Sequence, residues 1–327
     1  MPALYDSFGR QVEYLRLSVT DRCDFRCVYC MEEDPCFLPK EQVLSLEELA
    51  LIGRAFTELG VKKIRLTGGE PLIRTDCEEL VRQLGSLPGL DDLSMTSNGS
   101  RLAKLAPSLK AAGLKRLNIS LDTLKPERFE ALTRNGKLER VIGGIDAAIN
   151  AGFKRIKINA VILKGRNDDE VLDLVAFCRG RGLDIAFIEE MPIGVMDERA
   201  SSRHLSSDAV RTIIESRYPL TRSDKRTGGP ARYYRMSDSP IHIGFISPHS
   251  HNFCHECNRV RVTVEGRLLL CLGNEHSVDL KAVLRNHPDD TEALKAAILA
   301  AMPLKPREHR FETGEIQILR FMNATGG

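Results

Sequence analysis

Residues 14–30 read YLRLSVTDRCDFRCVYC. The first half alternates, so that Leu15, Leu17 and Val19 would share one face of a β-strand and Arg16 and Ser18 the other. The second half follows that strand directly and carries Cys23, Cys27 and Cys30 in C-x3-C-x2-C spacing. An apolar face, a polar face and three thiols at the strand's end set the reading of the rest of the chain.

The same alternation returns downstream. Strands are expected at Lys63–Thr67, Asp92–Thr96, Arg116–Leu121, Arg155–Val161 and Asp184–Ile188, with helices after each, near 45–59, 76–84, 102–112, 138–151, 168–181 and 206–216. Ser45 followed by Glu48 is a capping-box signal, and Gly60, Gly113, Gly152 and Gly182 stand just past four of the helices. About six βα units in succession imply a parallel sheet. A doubly wound sheet would be apolar on both faces. Here one face is apolar, and the other carries Arg16, Ser18, Lys63, Arg65, Thr67, Ser94, Thr96, Asn118, Ser120, Lys157 and Asn159. A closed eight-unit barrel fills its interior with branched apolar side chains. The expected fold is therefore α/β, an incomplete, open six-unit barrel with a polar interior. Residues 6–226 would form it, and residues 227–327 a smaller C-terminal α+β domain over the barrel mouth. The turn-rich stretch 222–230 marks the junction.

Composition narrows the function. The 327 residues carry 47 basic and 45 acidic side chains, a net charge of +2, which argues against a broad footprint for nucleic acid. No apolar run reaches the length that spans a bilayer, and residues 1–10 lack a signal-peptide layout. The cytoplasm is the expected compartment, where disulfides are rare. Nine cysteines then call for metal or cluster ligation, and six of them fall into two tight groups. Cys77 and Cys178 read as small core residues; Cys36 stands alone.

Three thiolates at Cys23, Cys27 and Cys30 are one short of the four that usually hold a cubane iron–sulfur cluster, leaving one iron open to a small molecule. A zinc site is the plainer alternative, but zinc closes a structural site with a fourth protein ligand, and no histidine lies nearby in sequence. Phe25 and Tyr29 could shield the cluster and seat an adenine-like ring. The spacing, with an aromatic before the last cysteine, resembles the radical S-adenosylmethionine (SAM) superfamily. That resemblance implies a TIM-type partial barrel in which SAM chelates the open iron and is cleaved to a deoxyadenosyl radical. It also implies SAM contacts at Tyr29, Gly69 and Glu70 of the Thr67–Pro71 turn, at Ser120 and at Met191.

A second trio, Cys254, Cys257 and Cys271, lies near the other end, with His249, His251, His255 and His276 as candidates for a fourth ligand were it zinc. After it come Arg259-Val260-Arg261, whose arginines share one strand face and offer paired forks for phosphate oxygens. With Arg16, Lys63, Arg65 and Lys157 they make six cations that would repel unless an anion sits among them. Pairing with acids such as Glu189 or Asp122 is the alternative. Both trios, the Cys257–Val262 segment, the length and the terminal Gly326-Gly327 resemble the radical SAM GTP cyclases that begin molybdenum-cofactor biosynthesis.

The resemblance implies two [4Fe-4S] clusters, the second on Cys254, Cys257 and Cys271 with its open iron on the guanine of GTP. It implies GTP contacts at Arg16, Arg65, Thr96, Lys157, Arg259, Val260 and Arg261. Hydrogen abstraction at the ribose C3′ and closure onto guanine C8 would follow, catalysed with the help of Arg259, Arg261 and a Gly326-Gly327 tail in the active site. An electron donor, a homodimer and hand-over to a downstream molybdopterin-precursor synthase are further implications. Ala186 stands where many relatives have arginine, and Met31-Glu32 where most have Met-Pro. A radical SAM peptide-modifying enzyme and a zinc-stabilised binding module are the competing readings.

Overall fold

A computed structural model describes residues 3–191, 204–309 and 320–326. Among these, twelve strands form one sheet in the order β12-β11-β10-β1-β2-β3-β4-β5-β6-β9-β8-β7, and its two edge strands do not pair. Its centre is the expected parallel series: β1 (Tyr14–Ser18), β2 (Lys63–Thr67), β3 (Asp92–Ser97), β4 (Arg116–Ser120), β5 (Ile156–Ile162) and β6 (Asp184–Glu189). Between them run α1 (Leu46–Glu58), α2 (Cys77–Gly85), α3 (Leu102–Ala111), α4 (Pro126–Thr133), α5 (Leu138–Asn150) and α6 (Val171–Arg181). Ser45 Oγ accepts from Glu48 N while Glu48 accepts from Ser45 N, so the capping box is formed. The glycines at 60, 113, 152 and 182 all have positive φ, as helix ends demand.

The alternation sorts the side chains as expected. Leu15, Leu17, Ile64, Leu66, Leu93, Met95, Leu117, Ile119 and Ile158 join one core with the helices, and Cys77 and Cys178 are buried there too. Helix α4 was not anticipated: Pro126 begins it, and Phe129 anchors it edge-on to Phe25 at 5.8 Å.

The C-terminal residues complete the same sheet. After α7 (Ser207–Glu215) and β7 (Leu220–Arg222), the strands β8 (Arg232–Met236) and β9 (His242–Ile246) extend one edge, with β9 parallel to β6. On the other edge β10 (Arg259–Val262) pairs in parallel with β1, and β11 (Arg267–Leu269) and β12 (Ser277–Asp279) follow antiparallel. Two helices, α8 (Leu280–Asn286) and α9 (Thr291–Ala301), then pack outside, and α10 (Met322–Thr325) returns to the interior. The expected covering region is thus built as added strands, and the 226/227 junction falls in the loop between β7 and β8. No helix among the described residues is long and apolar enough to cross a membrane.

Ser45→Ala removes one side of the capping box and should cost about 1 kcal/mol of stability, read as a lower denaturation midpoint at unchanged slope.

Candidate functional site

The register of β10 on β1 decides where the two cysteine trios lie. Tyr14 sits beside Arg259 and Arg16 beside Arg261, with the strands parallel. The first trio follows the C-terminal end of β1. Cys254 and Cys257 precede the N-terminal end of β10, and Cys271 follows the end of β11, which runs the opposite way. The second trio therefore lies at the other end of the barrel, not over the same rim. About 13 Å of strand, at roughly 3.3 Å per residue, separates the two ends.

Between them lies the charge. Arg16 is flanked in register by Arg261 on one side and Arg65 on the other. Burial and then Arg261 push the Arg16 guanidinium well below its usual range, and burial with Arg259 brings Arg261 down to about 10. Burial, Arg65 and Arg116 push Lys63 down to about 6, and the same causes depress Lys157. Arg116 belongs to this group and was overlooked in the sequence, although it shares strand parity with Asn118 and Ser120. Among the described residues, Asp92 pairs directly with Arg116 and, at 3.7 Å, with Lys63. The other acids considered are engaged elsewhere: Glu189 accepts from the N–H groups of Ser207, His249 and Ser250, and Asp122 from Tyr29 and Val161. A cavity of about 610 Å³ at the N-terminal strand ends is lined by Arg65, Arg116, Asn118, Lys157 and Tyr233. Ser18 Oγ, Thr96 Oγ1 and Asn159 Oδ1 are buried and have no hydrogen-bond partner among the described residues. Such an interior is complementary to a polyphosphate.

Ala186 is buried beside Asn159 and Gly244 in register. The ring of Tyr233 lies on Gly244, where a Cβ would meet it at 2.9 Å, and its hydroxyl is 3.4 Å from Lys157 Nζ. Tyrosine thus occupies the neighbourhood in which an arginine side chain would have stood.

At the first trio, Cys23 Sγ receives Phe25 N at 3.4 Å and Asn98 Nδ2 at 3.8 Å. Burial and nearby acids push the Cys23 thiol up to about 12, and burial does the same to Cys30. Ligation by a cation would offset this. Tyr29 donates to Asp122 at 2.5 Å, which fixes its ring at the mouth. The expected ring-seating role of Phe25 is corrected: its ring is buried against Phe129. In the Thr67–Pro71 turn a Cβ on Gly68 (φ +136) would lie 2.2 Å from Thr20 O, and one on Gly69 2.1 Å from Arg22 O, so both must be glycine. Glu70 is fully buried and accepts from Leu72 N, Ser97 Oγ and Asn98 N, leaving room for about one further donor. Burial raises its carboxyl to about 7. Ser120 ends β4 and Met191 follows β6, both half-buried near this rim.

At the second trio, Cys254 Sγ receives His309 N at 3.4 Å and Cys257 Sγ receives Lys305 Nζ at 3.5 Å. Burial would raise the Cys257 thiol, but Arg259 and Lys305 bring it down to about 7. His249 meets Glu190 O and His251 meets Asp208, while His255 and His276 are exposed. Among the described residues no three metal-binding side chains converge on a single-ion position, as a zinc site would need. Sulfurs that serve separate corners of a cubane stand farther apart. With N–H donors aimed at sulfur in each trio, the residues fit two clusters.

The chain's end links the two halves. Met322 N donates to Cys30 O at 3.2 Å, Asn323 Nδ2 to Asp21 O at 3.0 Å, and Arg261 Nη1 to Gly326 O at 2.5 Å. Gly326 has φ +78, and a Cβ there would lie 2.3 Å from Thr67 Cγ2, so only glycine fits. Gly327 lies outside the described residues. Val260 faces the apolar core, so only its backbone can reach the interior.

The chain is similar to known proteins along nearly its full length. The radical SAM superfamily profile matches residues 17–178, and the profile described as Molybdenum Cofactor Synthesis C matches residues 183–311. A GTP 3′,8-cyclase of Pseudomonas entomophila (strain L48) is 62% identical over 328 residues, covering 99% of this chain and 98% of its own. GTP 3′,8-cyclase 2 of Pseudomonas aeruginosa PAO1 is 58% identical over 326 residues, with coverage of 99% and 98%. Streptococcus suis SuiB, solved bound to S-adenosylmethionine, shares the fold at TM-score 0.59 and 16% identity, over 87% of this chain and 66% of SuiB.

Anaerobically purified protein should be brown and hold about eight irons per chain, and alanine at Cys254, Cys257 and Cys271 together should leave about four. Stoichiometric zinc in place of iron contradicts two clusters. The chain belongs to the GTP 3′,8-cyclase family of radical SAM enzymes.

Proposed function

We propose that this protein is a GTP 3′,8-cyclase. It converts GTP to (8S)-3′,8-cyclo-7,8-dihydroguanosine triphosphate, the first step of molybdenum-cofactor biosynthesis. One observation carries the reading beyond family membership: a buried interior in which, among the described residues, cations outnumber the acids Asp92 and Asp184 lies between two cysteine trios.

The geometry supports a role for each group. Cys23, Cys27 and Cys30 would hold a cluster with an open iron for SAM at the C-terminal rim, and Cys254, Cys257 and Cys271 a second cluster at the opposite end. When bound, the first cluster and SAM supply the radical that removes hydrogen from the ribose C3′. The protein's own part is to bind and orient. Arg16, Lys63, Arg65, Arg116, Lys157, Arg259 and Arg261 neutralise the triphosphate, with Thr96 and the Val260 backbone as neutral partners. Because the two trios lie at the two ends of the sheet, a nucleotide stretched between them has its base toward one end and its sugar within reach of the other. Tyr29, Gly69, Glu70, Ser120 and Met191 shape the SAM end.

The Gly326 backbone, bonded to Arg261, stands between β2 and β10 and closes the interior around the substrate. On this reading residues 6–226 carry the SAM half, and residues 227–327 the second cluster and the arginine fork. A reducing partner, a homodimer and a downstream molybdopterin-precursor synthase complete the proposal. A cytoplasmic setting is in keeping with nine free cysteines.

Arg261→Ala should cut GTP turnover by about tenfold or more, the loss of a charge-assisted contact, while the reduced enzyme still cleaves SAM. Equal loss of SAM cleavage would point to general damage and sink the assignment. Removing Gly326 and Gly327 should leave iron content unchanged and abolish cyclisation; full activity in the truncated enzyme refutes the tail's role.

A further inference from the structure

Lys305 is 2% exposed, and lysine is rarely buried without an anion beside it. Its three ammonium protons are spent on Cys257 Sγ at 3.5 Å, Arg259 O at 3.0 Å and Leu270 O at 2.6 Å. The two carbonyls bring no net charge. Among the described residues no carboxylate lies within ion-pair distance of Lys305, which leaves the sulfur as its countercharge. Arg259 O belongs to the start of β10 and Leu270 O lies just past β11, so the same nitrogen ties together the strands that bear Cys257 and Cys271.

The residues after Lys305 continue the arrangement. His309 N donates to Cys254 Sγ at 3.4 Å. Arg10 donates to Cys254 O, Pro306 O and Arg307 O at 2.6–2.7 Å, fastening this segment across the trio. At the first trio the donors to sulfur are neutral, Phe25 N and Asn98 Nδ2, and the neighbouring charges include Asp24 and Glu70.

We infer that Lys305 is a positioning residue of the second trio, holding Cys257 and supplying the countercharge that raises the reduction potential of the cluster there above that of the first. The inference rests on the two-cluster reading. Its sign follows from charge: a cubane on three thiolates carries one negative charge oxidised and two reduced, so a fixed cation at a sulfur stabilises the reduced form more. A donor to sulfur acts in the same direction.

The test is a redox titration of the iron-loaded holoenzyme without SAM or GTP, followed by electron paramagnetic resonance. Lys305→Met should shift the second cluster's midpoint to more negative potential and leave the first in place, and Lys305→Arg should stay nearer the original. An unmoved second midpoint in Lys305→Met overturns the inference. Should Lys305→Met lose the second cluster, the proteins lacking one trio at a time, with Lys305 intact, decide. The cluster on Cys254, Cys257 and Cys271 must titrate at the more positive potential, and an equal or lower value overturns the inference. Absence of iron from the second trio in the unaltered protein would instead refute the two-cluster reading beneath it.

Discussion

The parallel pairing of β10 with β1 is the constraint on which the site depends. It brings residues some 240 positions apart into register and sets Arg261 beside Arg16, which is itself beside Arg65. Three guanidinium groups on adjacent strands repel one another, and burial withdraws the water that would screen them. The surrounding core holds them in place: Leu15, Leu17, Val260 and Val262 on the reverse of the same strands are fully packed. Apolar burial outside the sheet therefore keeps an unfavourable charge density inside it, and an anionic ligand relieves that cost.

The two ends of this interior differ in charge. The first trio lies among Asp24, Glu70 and Asp122, and burial with these acids disfavours free thiolates there. The second lies among Arg259 and Lys305, which favour a thiolate at Cys257. A molecule with one electron-rich end and one polyanionic stretch thus meets a directional field. The C-terminal segment adds a covalent limit, because Gly326 can approach Thr67 only without a side chain.

Much of this was legible in the chain. Period-two alternation fixed the inward cations, since strand parity depends on nothing beyond backbone geometry. Arg116 obeys the same parity with Asn118 and Ser120, so it too was legible as an inward cation. Helix α4 escaped because its eight residues carry little apolar period. The engagement of Glu70 by Ser97 and Asn98, and of Phe25 by Phe129 of α4, could not be foreseen, because these partners are distant in sequence.

By itself the sequence determined the chemistry: two cysteine trios, a sheet polar on one side, and an arginine fork following the second trio. These are properties of spacing and parity, which survive any arrangement of the strands. The tertiary structure alone decided which strand ends carry each trio, that a tyrosine lies beside Ala186, and that Lys305 finds its countercharge in a sulfur. Each of those depends on which strands become neighbours, a matter of long-range packing that no local pattern encodes.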